Sequence, residues 1–280
     1  MGRKRAGTPR NLIVLFCIAT GALLVWMAGC DKITYKLHSL TKSTSKKTVR
    51  SVPRPPNRTL AGPKLAIILD DLGSDSNAAE AIFALRVPLT ISVLPFHAHS
   101  TEIAEEAKRR GFEVMLHLPM QAVGNELPEP RQLHAGMSEA EVAQELNEML
   151  ESVPTAVGVN NHEGSLATQD AKLMAELMSL LKQRGLFFVD SRTTAATVAF
   201  EAAEQAGMRS GFRNVPFLDD VEDVATIRKQ LELAMHGAEE KGAAIAIGHP
   251  HAQTLQALRE LLPHAEARGV HLVFVSDVVR

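Results

Sequence analysis

Two adjacent acids, Asp70 and Asp71, are the residues of this sequence best placed to do chemistry. They directly follow the apolar run 65–69, which predicts a short buried strand, and Gly73 supplies the turn after it. Neighbouring carboxylates repel each other, so one member of such a pair commonly binds a cation or holds a proton. The alternative interpretation is a pair at the N-cap of a helix, because a helical pattern follows.

Metal-competent side chains also follow the later apolar runs. These are His97 and His99, His117, Asn160 with Asn161 and His162, Asp190 with Arg192, and His249 with His251. One Asp with two His is a common ligand set for zinc or a similar divalent ion and leaves room for water or substrate. Such an ion activates water and polarises a carbonyl, while a remaining Asp and His can accept and donate protons. The pattern predicts hydrolysis of an amide or an ester.

Other chemistries fit the sequence less well. It contains no G-x-S-x-G, no H-E-x-x-H, no phosphate-binding P-loop and no G-x-G-x-x-G after the first apolar run. A glycosidase could use Asp70 or Asp71 with Asp190, but that interpretation leaves the histidines unexplained. Because Cys17 and Cys30 both precede residue 62, the region after it offers no disulfide, thiolate nucleophile or Cys-based zinc site.

Short apolar runs alternate with helical patterns from Lys64 onward. Strands are predicted at 64–70, 89–94, 112–118, 155–160, 186–190, 243–248 and 271–275, with a weaker one near 209–215. Helices are predicted at 75–85, 99–110, 138–152, 168–184, 194–207, 222–240 and 252–268. Seven or eight such units indicate an α/β fold with a parallel sheet, and the absence of nucleotide-binding motifs favours a distorted barrel over an open sheet. In either architecture the site lies at the carboxyl ends of the strands.

The N-terminal segments differ sharply from the rest of the chain. Residues 1–30 pair a basic start with an uncharged stretch from Leu12 to Gly29, as in an uncleaved membrane anchor or a lipoprotein signal with Cys30 lipidated. Residues 31–62 are basic and Pro-rich and predict a flexible linker, so 63–280 is the folded domain. We therefore expect an exported protein held at the inner membrane, with this domain in the periplasm of the cell envelope.

The distribution of charged and aromatic residues limits the kinds of partner that the folded domain can bind. Residues 1–62 carry 12 Lys or Arg and one Asp, a net charge of +11, whereas the remainder carries 18 Lys or Arg and 31 acids, a net charge of −13. An acidic folded domain argues against a nucleic-acid partner. Trp26 and Tyr35 both lie outside the folded domain, so a sugar-binding cleft would have to stack on Phe or His.

Six segments together resemble the polysaccharide deacetylase superfamily, and specifically its divergent branch in bacterial envelope proteins. The resemblance covers about residues 64–276. The segments are Ile68–Gly73, Ser92–Pro95, Glu113–Met120, Gly158–His162, Asp190–Thr193 and Ala246–Pro250.

This resemblance implies a distorted (β/α) barrel of about seven strands. It also implies metal-dependent removal of acetyl groups from an envelope polysaccharide such as peptidoglycan, with zinc the expected ion. In the superfamily's paired-acid motif the first acid is the general base and the second binds metal, which correspond to Asp70 and Asp71. The first metal-binding histidine corresponds to His117, and the histidine of the last motif, a general acid, corresponds to His249.

The sequence also departs from the superfamily pattern. Gln121 stands where the superfamily has its second metal-binding histidine, and we expect His162 to be the third ligand instead. The Arg-Pro-Pro segment and the Trp-bearing motif have no clear counterpart.

Four polar residues are predicted to bind or orient substrate: Asn160, Asn161, Asp190 and Arg192. His97, His99 and His251 are interpreted as rim or surface residues, with His99 a substitute ligand. The alternative function is an inactive deacetylase-like module that binds an envelope glycan or a protein partner.

Overall fold

A computed structural model describes residues 61–124 and 129–280. The predicted signal or anchor, and the predicted linker up to residue 60, lie outside the described residues. All described residues belong to one compact unit. Within the described part of the chain, no helix combines the length and the apolar character that crossing a bilayer requires.

Eight strands and seven helices alternate along the described chain. The strands are β1 (Lys64–Leu72), β2 (Thr90–Val93), β3 (Glu113–Met120), β4 (Gly158–Glu163), β5 (Phe187–Asp190), β6 (Ser210–Phe212), β7 (Ala243–Gly248) and β8 (His271–Val273). The helices are α1 (Ser76–Phe83), α2 (Ser100–Arg110), α3 (Glu139–Ser152), α4 (Ala171–Gln183), α5 (Ala199–Gln205), α6 (Val224–Lys241) and α7 (Ala252–Ala267). These confirm the alternation predicted from the sequence.

The strands form a parallel sheet that curls into a nearly closed barrel. Seven strands follow the order β6-β5-β4-β3-β2-β1-β7, and β8 pairs with β1 off this path. The two end strands are joined through Asn214, whose N–H donates to the Ile245 carbonyl at 2.9 Å while its Oδ1 accepts from the Ile245 N–H at 2.6 Å. The predicted fold class, an α/β barrel of about seven strands, is confirmed.

Strand alternation separates two apolar cores. In β1, Leu65, Ile67 and Leu69 belong to the large cluster that also contains the buried faces of the helices, whereas Ala66 and Ile68 belong to a smaller one. The smaller cluster fills the barrel interior, and its other members are Met115, Phe187, Val189, Ile245, Ile247, Val273, Val275 and Val279. Inward-pointing residues beyond this cluster therefore stand at the carboxyl ends of the strands.

The predicted strand 271–275 ends early because the chain turns across the other end of the barrel. After β8, a 3-10 turn spans Val275–Asp277. The Val275 N–H donates to Thr90 Oγ1 at 3.1 Å, and the Ser276 N–H donates to Glu113 Oε1 at 3.1 Å. These bonds use backbone groups that would otherwise pair within a strand, and they cover the amino ends of β2 and β3.

A bulge in β1 aims both acids of the pair at one place. Leu69 pairs with Ile91 but Leu72 pairs with Val93, so three steps of β1 match two of β2. Asp71 takes a left-handed backbone conformation with φ of 58°, which costs a non-glycine residue about 1 kcal/mol or more. In a regular strand the two side chains would face opposite sides. The N-cap interpretation is wrong, because Asp75 caps α1 by accepting from the Asn77 N–H.

Replacing Gly158 by Ala should destabilise the fold, because an added Cβ would lie 2.2 Å from the Phe187 ring. We expect a loss of about 1–3 kcal/mol in the free energy of unfolding, as for other overpacked cores. Chemical denaturation followed by circular dichroism measures it. Gly237→Ala in α6 is the matched control, because its new Cβ would be 4.0 Å from Ala244 and should stabilise the helix. A Gly158→Ala protein as stable as the wild type would contradict this packing.

Candidate metal centre

Three side chains from three strands meet at the carboxyl end of the barrel. Oδ1 of Asp71 lies 3.1 Å from Nε2 of His117 and 3.1 Å from Nδ1 of His162, and the two nitrogens are 3.1 Å apart. The three atoms thus form an equilateral triangle, which we call the ligand triangle. His117 is buried, and Asp71 and His162 are half-buried, so one side of the triangle remains accessible.

The donor set of the ligand triangle suits a divalent cation. Asp71 Oδ1 is buried yet makes no well-directed hydrogen bond to any described residue, although two imidazole nitrogens lie beside it. Ligand atoms around a tetrahedral zinc ion at ordinary bond lengths are about 3.3 Å apart, close to the edges of this triangle. Two imidazoles and one carboxylate form a three-residue set that leaves a fourth position for water or substrate.

A polar layer lies beneath the ligand triangle inside the barrel. It contains Asp70, Ser92, His117, Asn160 and Ser191, which come from β1 to β4 and the end of β5. Asn160 donates through Nδ2 to both carboxylate oxygens of Asp70, at 3.0 and 3.1 Å, and to Ser191 Oγ at 3.1 Å. Asp70 Oδ2 is also 3.6 Å from Nε2 of His117. The carboxylate that the resemblance assigns as base is therefore fixed next to the ligand triangle.

A third histidine, His249, faces Asp71 from the end of β7. Nε2 of His249 is 3.8 Å from Asp71 Oδ2. Its other nitrogen, Nδ1, is 2.9 Å from Oδ1 of the buried Asp219, and Asp219 Oδ2 accepts from the His249 N–H at 2.6 Å and from Thr254 Oγ1 at 2.7 Å. The pair of His249 and Asp219, which we call the dyad, fixes the imidazole ring and leaves its Nε2 directed at Asp71 of the ligand triangle.

Burial and charge shift the pKa values of Asp70, Asp71, His117 and His249. Burial raises the pKa of Asp70, with the nearby histidines opposing it. Burial would also raise the pKa of Asp71, but the adjacent imidazoles of His117 and His162 hold it far below its usual range. Burial lowers the pKa of His117, and the charges of Asp70 and Asp71 outweigh it and raise the pKa overall. Burial also lowers the pKa of His249, but its hydrogen bond to Asp219 and the surrounding negative charges outweigh burial and raise the pKa to about 9.

The other predicted substrate residues, Asn161, Asp190 and Arg192, lie at the carboxyl ends of β4 and β5, and the first two are hydrogen-bonded to nearby groups of the chain. Asn161 donates to the Glu163 carbonyl at 2.8 Å and accepts from the Ser191 N–H at 2.8 Å. Asp190 is fully buried and accepts from the Arg192 N–H and from Thr197 Oγ1. This anchoring of residues 191–198 explains why α5 begins at Ala199, later than predicted.

Arg192 is exposed, and its guanidinium stacks 3.5 Å from the Phe212 ring centroid. A surface cation on an aromatic ring can contact a ligand without first leaving a buried site. A role for this residue in substrate binding stays a prediction, as it does for Asn161 and Asp190.

His97, His99 and His251, which were predicted as rim or surface residues, stand outside the ligand triangle. His97 is 3.4 Å from Glu129, and His99 pairs with Glu102 at the start of α2. His251 groups with Asp219 and His249, with their ligand atoms within 4.8 Å of one another. Because Asp219 already accepts three hydrogen bonds, this second group suits a metal less than the ligand triangle does.

Gln121 is turned away from the centre. Its Oε1 accepts from the Ala135 N–H at 3.2 Å, so this side chain is part of the loop after β3. His162 occupies the place next to Asp71 and His117 that the expected third ligand requires.

Sequence reasoning missed two contributors, both in the loop between β6 and α6. Asp219 orients His249, and the Phe217 ring centroid lies 5.6 Å from that of the His249 ring. The guanidinium of Arg213 lies 4.0 Å from the centroid of the Phe217 ring. The Asp219-Asp220 pair repeats the doubled acid of the first strand, which was a signal available in the sequence. Nothing in the sequence pattern placed it opposite His249.

The chain belongs to the divergent polysaccharide deacetylase family, whose model matches residues 67–279. An uncharacterized protein of Haemophilus influenzae is 40% identical over 201 residues, which are 72% of this chain and 71% of that one. The family membership confirms the resemblance seen in the sequence.

Two solved structures share the fold. An uncharacterized protein from Agrobacterium tumefaciens superposes with a TM-score of 0.74 at 24% identity, covering 82% of this chain and 93% of that chain. A CE4 family pseudoenzyme from Bacillus anthracis gives a TM-score of 0.50 at 11% identity, covering 78% and 66%. Together with the family model, these two structures show a deacetylase-like fold.

Replacing Asp219 by Asn should lower the pKa of His249 from about 9 toward the ordinary value near 6.5. The substitution removes the negative charge and the strongest hydrogen-bond acceptor of the ring, so only the charges of Asp70 and Asp71 then oppose burial. An NMR titration of the metal-free protein measures this pKa directly. Glu222→Gln, which removes an exposed acid 3.8 Å from His251, is the control and should leave it unchanged. A pKa still near 9 in Asp219→Asn would refute the dyad.

Proposed function

We propose that this protein is a metal-dependent hydrolase that removes acetyl groups from a saccharide of the bacterial cell envelope. The observation that carries the proposal is the ligand triangle with two proton-transfer groups beside it. Oδ2 of Asp70 lies 3.6 Å from Nε2 of His117, and Nε2 of His249 lies 3.8 Å from Oδ2 of Asp71. Membership of a polysaccharide deacetylase family supports the choice of an acetylated sugar over other amides and esters.

The residues divide the chemistry between them. Asp71, His117 and His162 would hold the ion, and their nitrogen and oxygen donors favour zinc. When bound, such an ion lowers the pKa of water toward 7 and polarises the acetyl carbonyl. Asp70, which Asn160 holds in place, would accept a proton from the water that attacks this carbonyl. His249 carries a proton on Nε2 near neutral pH, because its pKa is raised, and donates it to the departing sugar nitrogen or oxygen.

Phe217 gives the acetyl methyl group an apolar surface to contact. Its half-buried ring packs against the interior cluster, and its centroid lies 5.6 Å from that of the His249 ring. Burying a methyl group against such a ring favours an acetyl group over a larger polar acyl group. This is the kind of contact that a hydrolase without Trp or Tyr in its folded domain can still make.

The envelope location rests on the sequence of the first 62 residues. A basic start, an apolar stretch and a Pro-rich linker would tether the acidic domain outside the inner membrane, as an anchor or through lipidated Cys30. Peptidoglycan is the acetylated polymer that such a tethered domain would meet there.

A second candidate function is an inactive relative that binds an envelope glycan or a protein partner. The observation that favours it is Gln121, which occupies the position of a superfamily ligand and points into its own loop. The fold also accommodates a pseudoenzyme in Bacillus anthracis. Under this proposal the polar layer would serve stability and the metal would be dispensable.

Replacing Asp71 by Ala separates these two functions. For the hydrolase, we expect about one equivalent of zinc on the wild-type protein and acetate release from chitooligosaccharides or peptidoglycan fragments. The substitution should weaken zinc binding more than about a hundredfold, because even outer partners of a ligand are worth 10–100-fold, and should abolish acetate release.

The matched control is Asp220→Ala, which removes an exposed acid next to Asp219 and should keep both properties. A wild-type protein without metal that binds glycan as well as Asp71→Ala does would instead support the inactive module.

Zinc binding should release protons at neutral pH. The raised pKa of His117 means that this ring holds a proton that the metal must displace. Affinity should therefore rise with pH, by about tenfold per unit while one proton is displaced, and level off above the raised pKa. Isothermal titration calorimetry in buffers of different ionisation enthalpy counts the protons. His99→Gln should leave the count unchanged, and a count of zero at pH 7 in the wild type would contradict the electrostatics described for His117.

A further inference from the structure

Asn160 is the most connected side chain of the polar layer, and it is fully buried. Its Nδ2 donates to both oxygens of Asp70 and to Ser191 Oγ, and its Oδ1 accepts from Ser92 Oγ. The same Oδ1 lies 3.3 Å from Nδ1 of His117. Every polar atom of the amide is thus used inside the barrel, which leaves none to reach a substrate.

The partners fix which way the amide points. Whatever its protonation state, the Asp70 carboxyl group has at least one oxygen that only accepts hydrogen bonds, so the Asn160 atom that lies 3.0 and 3.1 Å from its two oxygens is the nitrogen. The amide oxygen must then face His117, and an oxygen there can pair only with a protonated Nδ1. A neutral imidazole carries one proton, so Nε2 is left with its lone pair. That is the nitrogen that forms a corner of the ligand triangle.

We infer that Asn160 is a positioning residue that sets the tautomer of His117 for metal binding and clamps the carboxylate of Asp70, and that it does not contact substrate. One amide thereby couples the ligand to the base. The inference about Asp70 rests on the proposed function, whereas the inference about His117 needs only a metal. It replaces the role in substrate binding that the sequence suggested for this residue.

Two substitutions separate the two contacts. Asn160→Asp keeps an oxygen for the Nδ1–H of His117 but removes the N–H donors from Asp70 and faces it with a like charge. Asn160→Leu has a similar shape and removes both contacts. Asn161→Leu is the matched control, because Asn161 is the buried neighbour whose amide bonds only to backbone groups of Glu163 and Ser191.

The first measurement needs no substitution. Long-range nitrogen–proton NMR on the zinc-loaded wild-type protein should show His117 protonated at Nδ1 and bound to zinc through Nε2. Asn160→Asp should keep this signature, and Asn160→Leu should lose the slowly exchanging Nδ1 proton. His117 bound to zinc through Nδ1 in the wild type would overturn the inference even if neither variant folds.

The second measurement is zinc affinity by competition with a chromophoric chelator, together with turnover. Asn160→Leu should weaken zinc binding about 10–100-fold, the usual cost of losing an outer partner of a ligand. Asn160→Asp should keep the wild-type affinity within about threefold while its kcat for acetate release falls at least about tenfold. Asn161→Leu should lower thermal stability without changing the zinc affinity or the NMR signature.

The outcomes distinguish this inference from the proposed function. Wild-type zinc affinity in Asn160→Leu, or losses in all three variants that only follow their thermal stability, would overturn it. If the wild-type protein binds zinc with the expected tautomer but releases no acetate from any substrate, the hydrolase proposal fails and the assignment for His117 stands.

Discussion

The structure depends on holding three atoms with lone pairs close together at a site that is partly shielded from solvent. A carboxylate oxygen and two imidazole nitrogens lie 3.1 Å from one another, and the oxygen has no well-directed hydrogen bond among the described residues. Lone pairs at that distance repel unless a proton or a cation lies between them. In the metal-free protein a proton on His117, whose pKa the charges of Asp70 and Asp71 raise, would serve this purpose for the contacts that it bridges. A divalent ion would serve all three contacts at once, which a single proton cannot do.

The rest of the barrel can be understood as the support for that arrangement. The bulge and the left-handed conformation of Asp71 bring two consecutive acids to one side of β1, and the well-packed strands on both sides of β1 hold this strained conformation in place. Beneath the centre, inward positions change from apolar to polar in a single step of two residues, from Ile68 to Asp70 and from Met115 to His117. The interior cluster thus gives the polar layer a rigid base.

Much of the fold could be predicted because strand alternation and the βα rhythm are local properties of the sequence. The shared face of Met115 and His117 follows from period two alone. The position of Asp70 and Asp71 on the same side of β1 could not be predicted, because strand alternation puts adjacent residues on opposite faces and only the bulge reverses this. Asp219 was missed for a different reason: it lies in a loop, and the barrel closure through Asn214 that brings this loop to β7 is a long-range contact. The type and position of Asn160 predict a site residue, but its partners on three other strands are not visible in one sequence.

Anomalous X-ray diffraction from zinc-loaded crystals of the protein is the most direct test of this account. We predict one strong peak about 2.0–2.2 Å from Asp71 Oδ1, His117 Nε2 and His162 Nδ1, the bond lengths usual for zinc. A map without density inside the ligand triangle, or with its peak among Asp219, His249 and His251 instead, would contradict the account.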